Sequence, residues 1–183
     1  MSVERAKLSF RNKLMIAATL LLSAGCANIS PEEAAEKASV DIELRALAIQ
    51  EVRAKQAVGT RVWCVPFART ASGVQIRGNA NTWWSQAAGR FERTKTPTVG
   101  AVMAFSKSSR LSMGHVAVVA EIVSSRMVRI DHANWHRNKI SLGMGVIDVS
   151  ENNDWSRVKV ETNPGAYGSP YAVSGFILPG STI

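Results

Sequence analysis

The chain has 183 residues, of which 46% are hydrophobic and 20% charged, and a formal net charge of +8. That composition excludes a mainly disordered or collagen-like chain, and the length suits one domain with an extension. The longest apolar run, Leu14 to Ala24, is far short of the about 20 residues a spanning helix needs, which excludes a multi-pass membrane protein. Two cysteines are too few for a disulfide scaffold or a four-cysteine zinc module.

The first segment reads as an address. Arg5, Lys7, Arg11 and Lys13 stand against Glu4 alone, the apolar stretch Leu14 to Leu22 follows, and then the small run Ser23-Ala24-Gly25-Cys26-Ala27. A basic start, a short apolar stretch and small residues make an export signal over residues 1–26. A buried N-terminal helix is the plainer reading, but positive charge directly before a pure apolar run suits membrane insertion better than a soluble core. The expected location is therefore the periplasm or the outer-membrane-anchored cell envelope. Small residues before Cys26 resemble a bacterial lipoprotein signal, in which the cysteine is lipidated and becomes the new N-terminus. Ser23 stands where such signals usually carry Leu, and ordinary cleavage after Ala27 is the rival. Most of the positive charge lies beyond this segment. A moderately basic exported domain suits an anionic envelope surface, and without a dense Lys/Arg stretch nucleic acid is not the expected partner. By either processing route Cys64 is left without an intramolecular disulfide partner.

Ser30-Pro31-Glu32-Glu33 is a helix start, with a cap, a proline suited to the first turn and a capping-box glutamate. Helix formers then continue to Ala57, as one long helix or two shorter ones, with only a loose apolar stripe. Residues 27–58 read as a helical arm or linker without chemistry, and residues 59–183 as the domain. Cys64 to Ala71 and Asn81 to Ala88 read as short helices. Strand-like runs follow at Ala101 to Phe105, Val116 to Ile122, Met127 to Ile130, Val146 to Val149, Val158 to Glu161 and Gly175 to Leu178. Helices first, then closely spaced strands with no room for crossovers, predict an α+β fold: N-terminal helices on one side of an antiparallel sheet of about six short strands.

Pro66 belongs in a first helical turn, so Cys64 opens its helix. Free N–H groups and positive dipole at that end would stabilise a thiolate, lower the thiol pKa and hold an oxyanion. A small buried hydrophobe is the bland alternative for a lone cysteine. A thiol nucleophile needs a base, and Gly114-His115-Val116 puts His115 at the mouth of an apolar strand. The next strand carries Asp131-His132-Ala133-Asn134-Trp135, with His132 and Asn134 on one face and Asp131 on the other. Any of the three is a candidate to orient His115. A zinc site from Cys64, Asp131, His132 and His136 is disfavoured, because no HExxH pattern is present.

Cys64-Val65-Pro66-Phe67-Ala68-Arg69, Gly78-Asn79-Ala80 with Trp83-Trp84, Pro97 to Val102, Gly114 to Val119 and His132-Ala133-Asn134-Trp135 together resemble a CHAP domain, the cysteine, histidine-dependent amidohydrolase/peptidase family among the NlpC-type papain-like hydrolases. The resemblance covers about residues 60–136. It implies a papain-like α+β fold and cleavage of amide bonds in peptidoglycan, as an N-acetylmuramoyl-L-alanine amidase or a peptide endopeptidase, with no cofactor, no metal and no protein partner. It makes Cys64 the nucleophile and His115 the general base. The family often has Glu where this chain has His132, and Asn where it has Asn134, so the third role falls to His132 first, then Asn134, then Asp131. Trp135 is the aromatic expected to line the substrate groove. Two other readings are an inactive CHAP-like module that binds the envelope, and an exported antibacterial amidase toxin.

Overall fold

The computed structural model describes residues 31–180, with side chains from residue 42 onward. The export segment, Cys26 and the Ser30 cap lie outside the described residues. The helices are α1 (Pro31–Ala57), α2 (Cys64–Ser72) and α3 (Trp83–Gln86), the last entered through a 3₁₀ turn at Ala80–Thr82. The strands are β1 (Arg93–Thr94), β2 (Val102–Phe105), β3 (His115–Ser124), β4 (Met127–Ala133), β5 (Ile140–Asp148), β6 (Arg157–Asn163) and β7 (Ala166–Ile177). No helix among the described residues is long and apolar enough to cross a membrane.

α1 runs unbroken because nothing between Pro31 and Ala57 interrupts it: no glycine, and no proline past the first turn. Its packing stripe is narrow. Ala48 and Val52, one turn apart, are buried, while Ile42 and Leu47 stay exposed. α2 follows the extended residue Trp63 and buries Phe67, Ala68 and Ala71 on one side, which is the i, i+1, i+4 stripe of a helix lying on a sheet.

The sheet is antiparallel throughout, but it is not the open layer that the strand spacing suggests. Its order is β1-β7-β2-β3-β4-β5-β6, and β7 also pairs with β6, so that β2 to β7 close into a barrel. The long strand β7 makes the closure. Its first half pairs with β6, and its second half pairs with β2 on one edge and β1 on the other. Between the halves the register with β2 slips near Ser174, where Phe105 faces Val173 and Ala104 faces Gly175. Such a bulge bends a strand and tightens its twist. Gly175 is required there: its φ is 141°, and a Cβ would fall 2.6 Å from both the Thr94 carbonyl oxygen and the Trp84 ring. β5 and β7 begin earlier than the apolar runs suggest. They contain Gly143, Gly145, Gly168 and Pro170, residues that read as strand breakers until bulges and close approaches accommodate them.

Closure divides the apolar residues into two cores. Met103, Phe105, Ala117, Val119, Ile130 and Phe176 fill the barrel together with Trp155. Val102, Ala104, Val116, Val118, Ala133 and Ile177 face outward, and the helices cover them. β2 is therefore buried on both faces. Gly175→Ala should lower stability by about 1–3 kcal/mol through overpacking, read as a lower urea midpoint. An unchanged midpoint would mean that the bend in β7 does not need a glycine.

Candidate active site

Cys64 is the first residue of α2, half-buried at one wall of a groove of about 660 Å³. Trp63, Gly114, His115 and Asn134 line the same groove, with Arg61 and Arg110 at its sides. No side chain caps α2 and no acidic residue sits in its first turn, so its leading N–H groups remain free for a ligand. Backbone N–H groups of Val116, Val65 and Cys64 itself lie on the side of the sulfur and act to lower the thiol pKa. Even so, burial pushes the thiol above its ordinary value of 9.0, and those N–H groups lower it without winning. The resting side chain is thus a thiol and not the thiolate expected from the helix terminus alone, because desolvation of a charge outweighs a few backbone dipoles.

His115 opens β3. Gly114 before it has φ 68°, and a Cβ there would lie 2.8 Å from the backbone nitrogen of Asn81 and 2.9 Å from the carbonyl oxygen of Phe105. The Asn81 N–H donates to the Met113 carbonyl at 2.8 Å. The turn before His115 is thus held against the 3₁₀ turn at backbone contact, which only glycine permits.

β3 pairs with β4 through Val118 opposite Asp131. Alternation then turns His115 and His132 to the barrel interior and Asp131 to the outside. His115 Nε2 meets His132 Nδ1 at 3.0 Å. Among the described residues the ring hydrogen bond of His115 goes to His132, and none joins it to Cys64, an arrangement common in unliganded sites, where catalytic contacts are often long. Burial holds His115 down at about 3, and holds His132 well below 6.5, with the neighbouring His115 and then His136 adding to the effect. Both imidazoles are therefore neutral at physiological pH.

The other candidates separate cleanly. Asp131 does not reach His115. Its carboxylate pairs with Arg45 Nε of α1 and accepts the Gly143 N–H at 2.8 Å. Asn134, at φ 63°, accepts the Asn138 N–H at 2.9 Å through Oδ1 and so shapes the loop after β4. Trp135 does not wall the groove. It stacks on His132, with centroids 5.5 Å apart and planes at 28°, and meets His115 edge-on at 5.1 Å. Trp63, 49% exposed, takes the groove position instead, under the Arg61 guanidinium at 3.9 Å. Among the described residues no group of three or more His, Cys, Asp or Glu is arranged to hold a metal ion. Asn138, which nothing in the sequence singled out, ties the two halves together. Its Oδ1 accepts the N–H of Val62, two residues before Cys64, at 2.9 Å, and its carbonyl accepts Gln56 Nε2 at 2.7 Å.

Residues 56–134 match the family model of the CHAP domain. The chain carries a CHAP domain. The matched stretch holds Cys64, His115, His132 and Asn134, whereas β5, β6 and β7, which complete the barrel, lie beyond it. The family is one of amidase- and peptidase-type hydrolases linked to peptidoglycan. No curated protein matches the chain.

Two outcomes follow from the buried titratable groups. Below pH 6.5 the unfolded chain protonates both histidines and the folded CHAP domain does not, so stability falls as pH drops from 6.5 towards about 3. Each histidine contributes up to about 1.4 kcal/mol per pH unit. The urea midpoint should fall between pH 7.5 and pH 5, and His115→Asn should flatten that fall; an equal slope in both chains would contradict the buried neutral ring. Iodoacetamide should label Cys64 slowly at neutral pH and faster through the alkaline range, and a rate already at its plateau at pH 7 would instead indicate a resting thiolate.

Proposed function

We propose that the CHAP domain is an active cysteine hydrolase that cuts amide bonds of bacterial peptidoglycan, and that the chain is exported to the envelope, through either lipidated Cys26 or soluble release. The observation that carries the catalytic reading is the shared groove: Cys64 and His115 face it together, and His132 holds the far nitrogen of His115 at 3.0 Å. A purely binding module has no use for a thiol at an uncapped helix terminus opposite a neutral imidazole. The basic groove sides at Arg61 and Arg110 suit an anionic polymer.

The chemistry runs from the neutral pair. As Cys64 sulfur attacks the amide carbon, its proton passes to His115 Nδ1, which avoids a free buried thiolate at rest. The amide oxygen gains the charge, and the free N–H groups at the start of α2 stabilise it. His115 returns the proton to the leaving amine nitrogen, the C–N bond breaks and a thioester remains. Water then attacks the thioester and gives its proton to His115. The carboxylic acid leaves, and sulfur regains the proton. His132 keeps the imidazole oriented throughout.

The test is digestion of purified peptidoglycan with mass spectrometry of released fragments. Cys64→Ala should abolish release while the protein stays folded, since the side chain is half-buried at a groove wall. His115→Ala should slow release by about 10²–10⁴-fold. Fragment masses distinguish the sugar–alanine amide from a peptide bond. Equal release by folded Cys64→Ala would overturn the mechanism.

A further inference from the structure

Among the described residues each ring nitrogen of His132 has one polar contact. Nδ1 meets His115 Nε2 at 3.0 Å, and Nε2 meets the Met144 sulfur at 3.2 Å. Met144 comes from β5, opposite Ile130 in the register with β4, and packs at the edge of the barrel core. It does not line the groove, and His132 is fully buried. These contacts constrain the protons. A thioether can accept a hydrogen bond but has no proton to donate. A neutral imidazole has one N–H and one bare nitrogen.

We propose that Met144 is a positioning residue: its sulfur accepts the Nε2–H of His132 and thereby sets the tautomer of both histidines. With its proton on Nε2, His132 presents a bare Nδ1. That nitrogen accepts, so the proton between the rings belongs to His115 Nε2. His115 is then bare at Nδ1, the nitrogen that must take the thiol proton. The opposite arrangement sets a bare His132 Nε2 against the sulfur lone pairs and puts a proton on His115 Nδ1, where it blocks the transfer. The Trp135 ring stacked on His132 fixes the plane of the imidazole but touches neither question. The inference rests on the reading of His115 as general base for its consequence, and on the two contacts alone for the tautomers.

The test uses the full chain with ¹⁵N-labelled histidine and long-range ¹H–¹⁵N correlation at neutral pH. The expected result is an Nε2–H tautomer for both His115 and His132; an Nδ1–H on either ring would overturn the proposal. Met144→Leu keeps the size and removes the acceptor. It should give mixed tautomers and lower the saturating rate of peptidoglycan fragment release about tenfold, with half-saturation unchanged, since residue 144 is outside the groove. Met144→Gln restores an acceptor oxygen and should recover both the tautomers and most of the rate. Unmixed tautomers and full activity in a folded Met144→Leu chain would refute it. The expected tautomers in a chain that cleaves nothing would uphold the proton placement and remove only the hydrolase reading.

Discussion

The site depends first on the pairing of β3 with β4. Val118 opposite Asp131 decides, by strand alternation, which side chains enter the barrel and which leave it. With that register His115 and His132 meet inside, next to Phe105 and Trp135. A slip of β4 by one residue would send His132 to the helix side, away from His115, and bring Asp131 in. Closure of the barrel by β7 makes such a slip costly, because every strand from β2 to β7 is paired on both sides.

Burial is the second constraint, and it sets the chemistry. A thiol raised by desolvation and an imidazole held neutral by the same cause form an uncharged pair at rest. Charge appears only when the proton moves, at the step where free N–H groups of α2 can meet it. The polar interior remains tolerable because its members satisfy one another: His115 with His132, and His132 with Met144.

The nucleophile and the base come from different layers, so their relative placement needs a bridge. The loop after β4 provides it. Asn138 holds the Val62 N–H just before Cys64, Asn134 holds the Asn138 N–H, and Arg45 of α1 pairs with Asp131 on the outer face of β4. α1 therefore packs against the unit that carries Cys64, at Ala48 and Val52, and its ties at Arg45 and Gln56 both end on β4 or the loop after it.

Much of this was legible in the chain. Pro66 in a first turn put Cys64 at a helix start, Gly114 ahead of an apolar run put His115 at a strand mouth, and alternation separated His132 from Asp131. These are local rules, and they depend on residues within a turn or a strand of one another. The sequence could not show that the sheet closes, because closure depends on a bulge at Ser174 and the contact of Gly175 with Thr94 and Trp84, residues far apart in the chain. Nor could it show the partner of each side chain. His132 rather than Asn134 or Asp131 beside His115, Trp63 rather than Trp135 at the groove, and burial outweighing the helix terminus at Cys64 all depend on three-dimensional neighbours. Residue type and spacing determined which groups were available for chemistry. Only the tertiary structure decided which of them are buried, which face one another, and so where the protons rest.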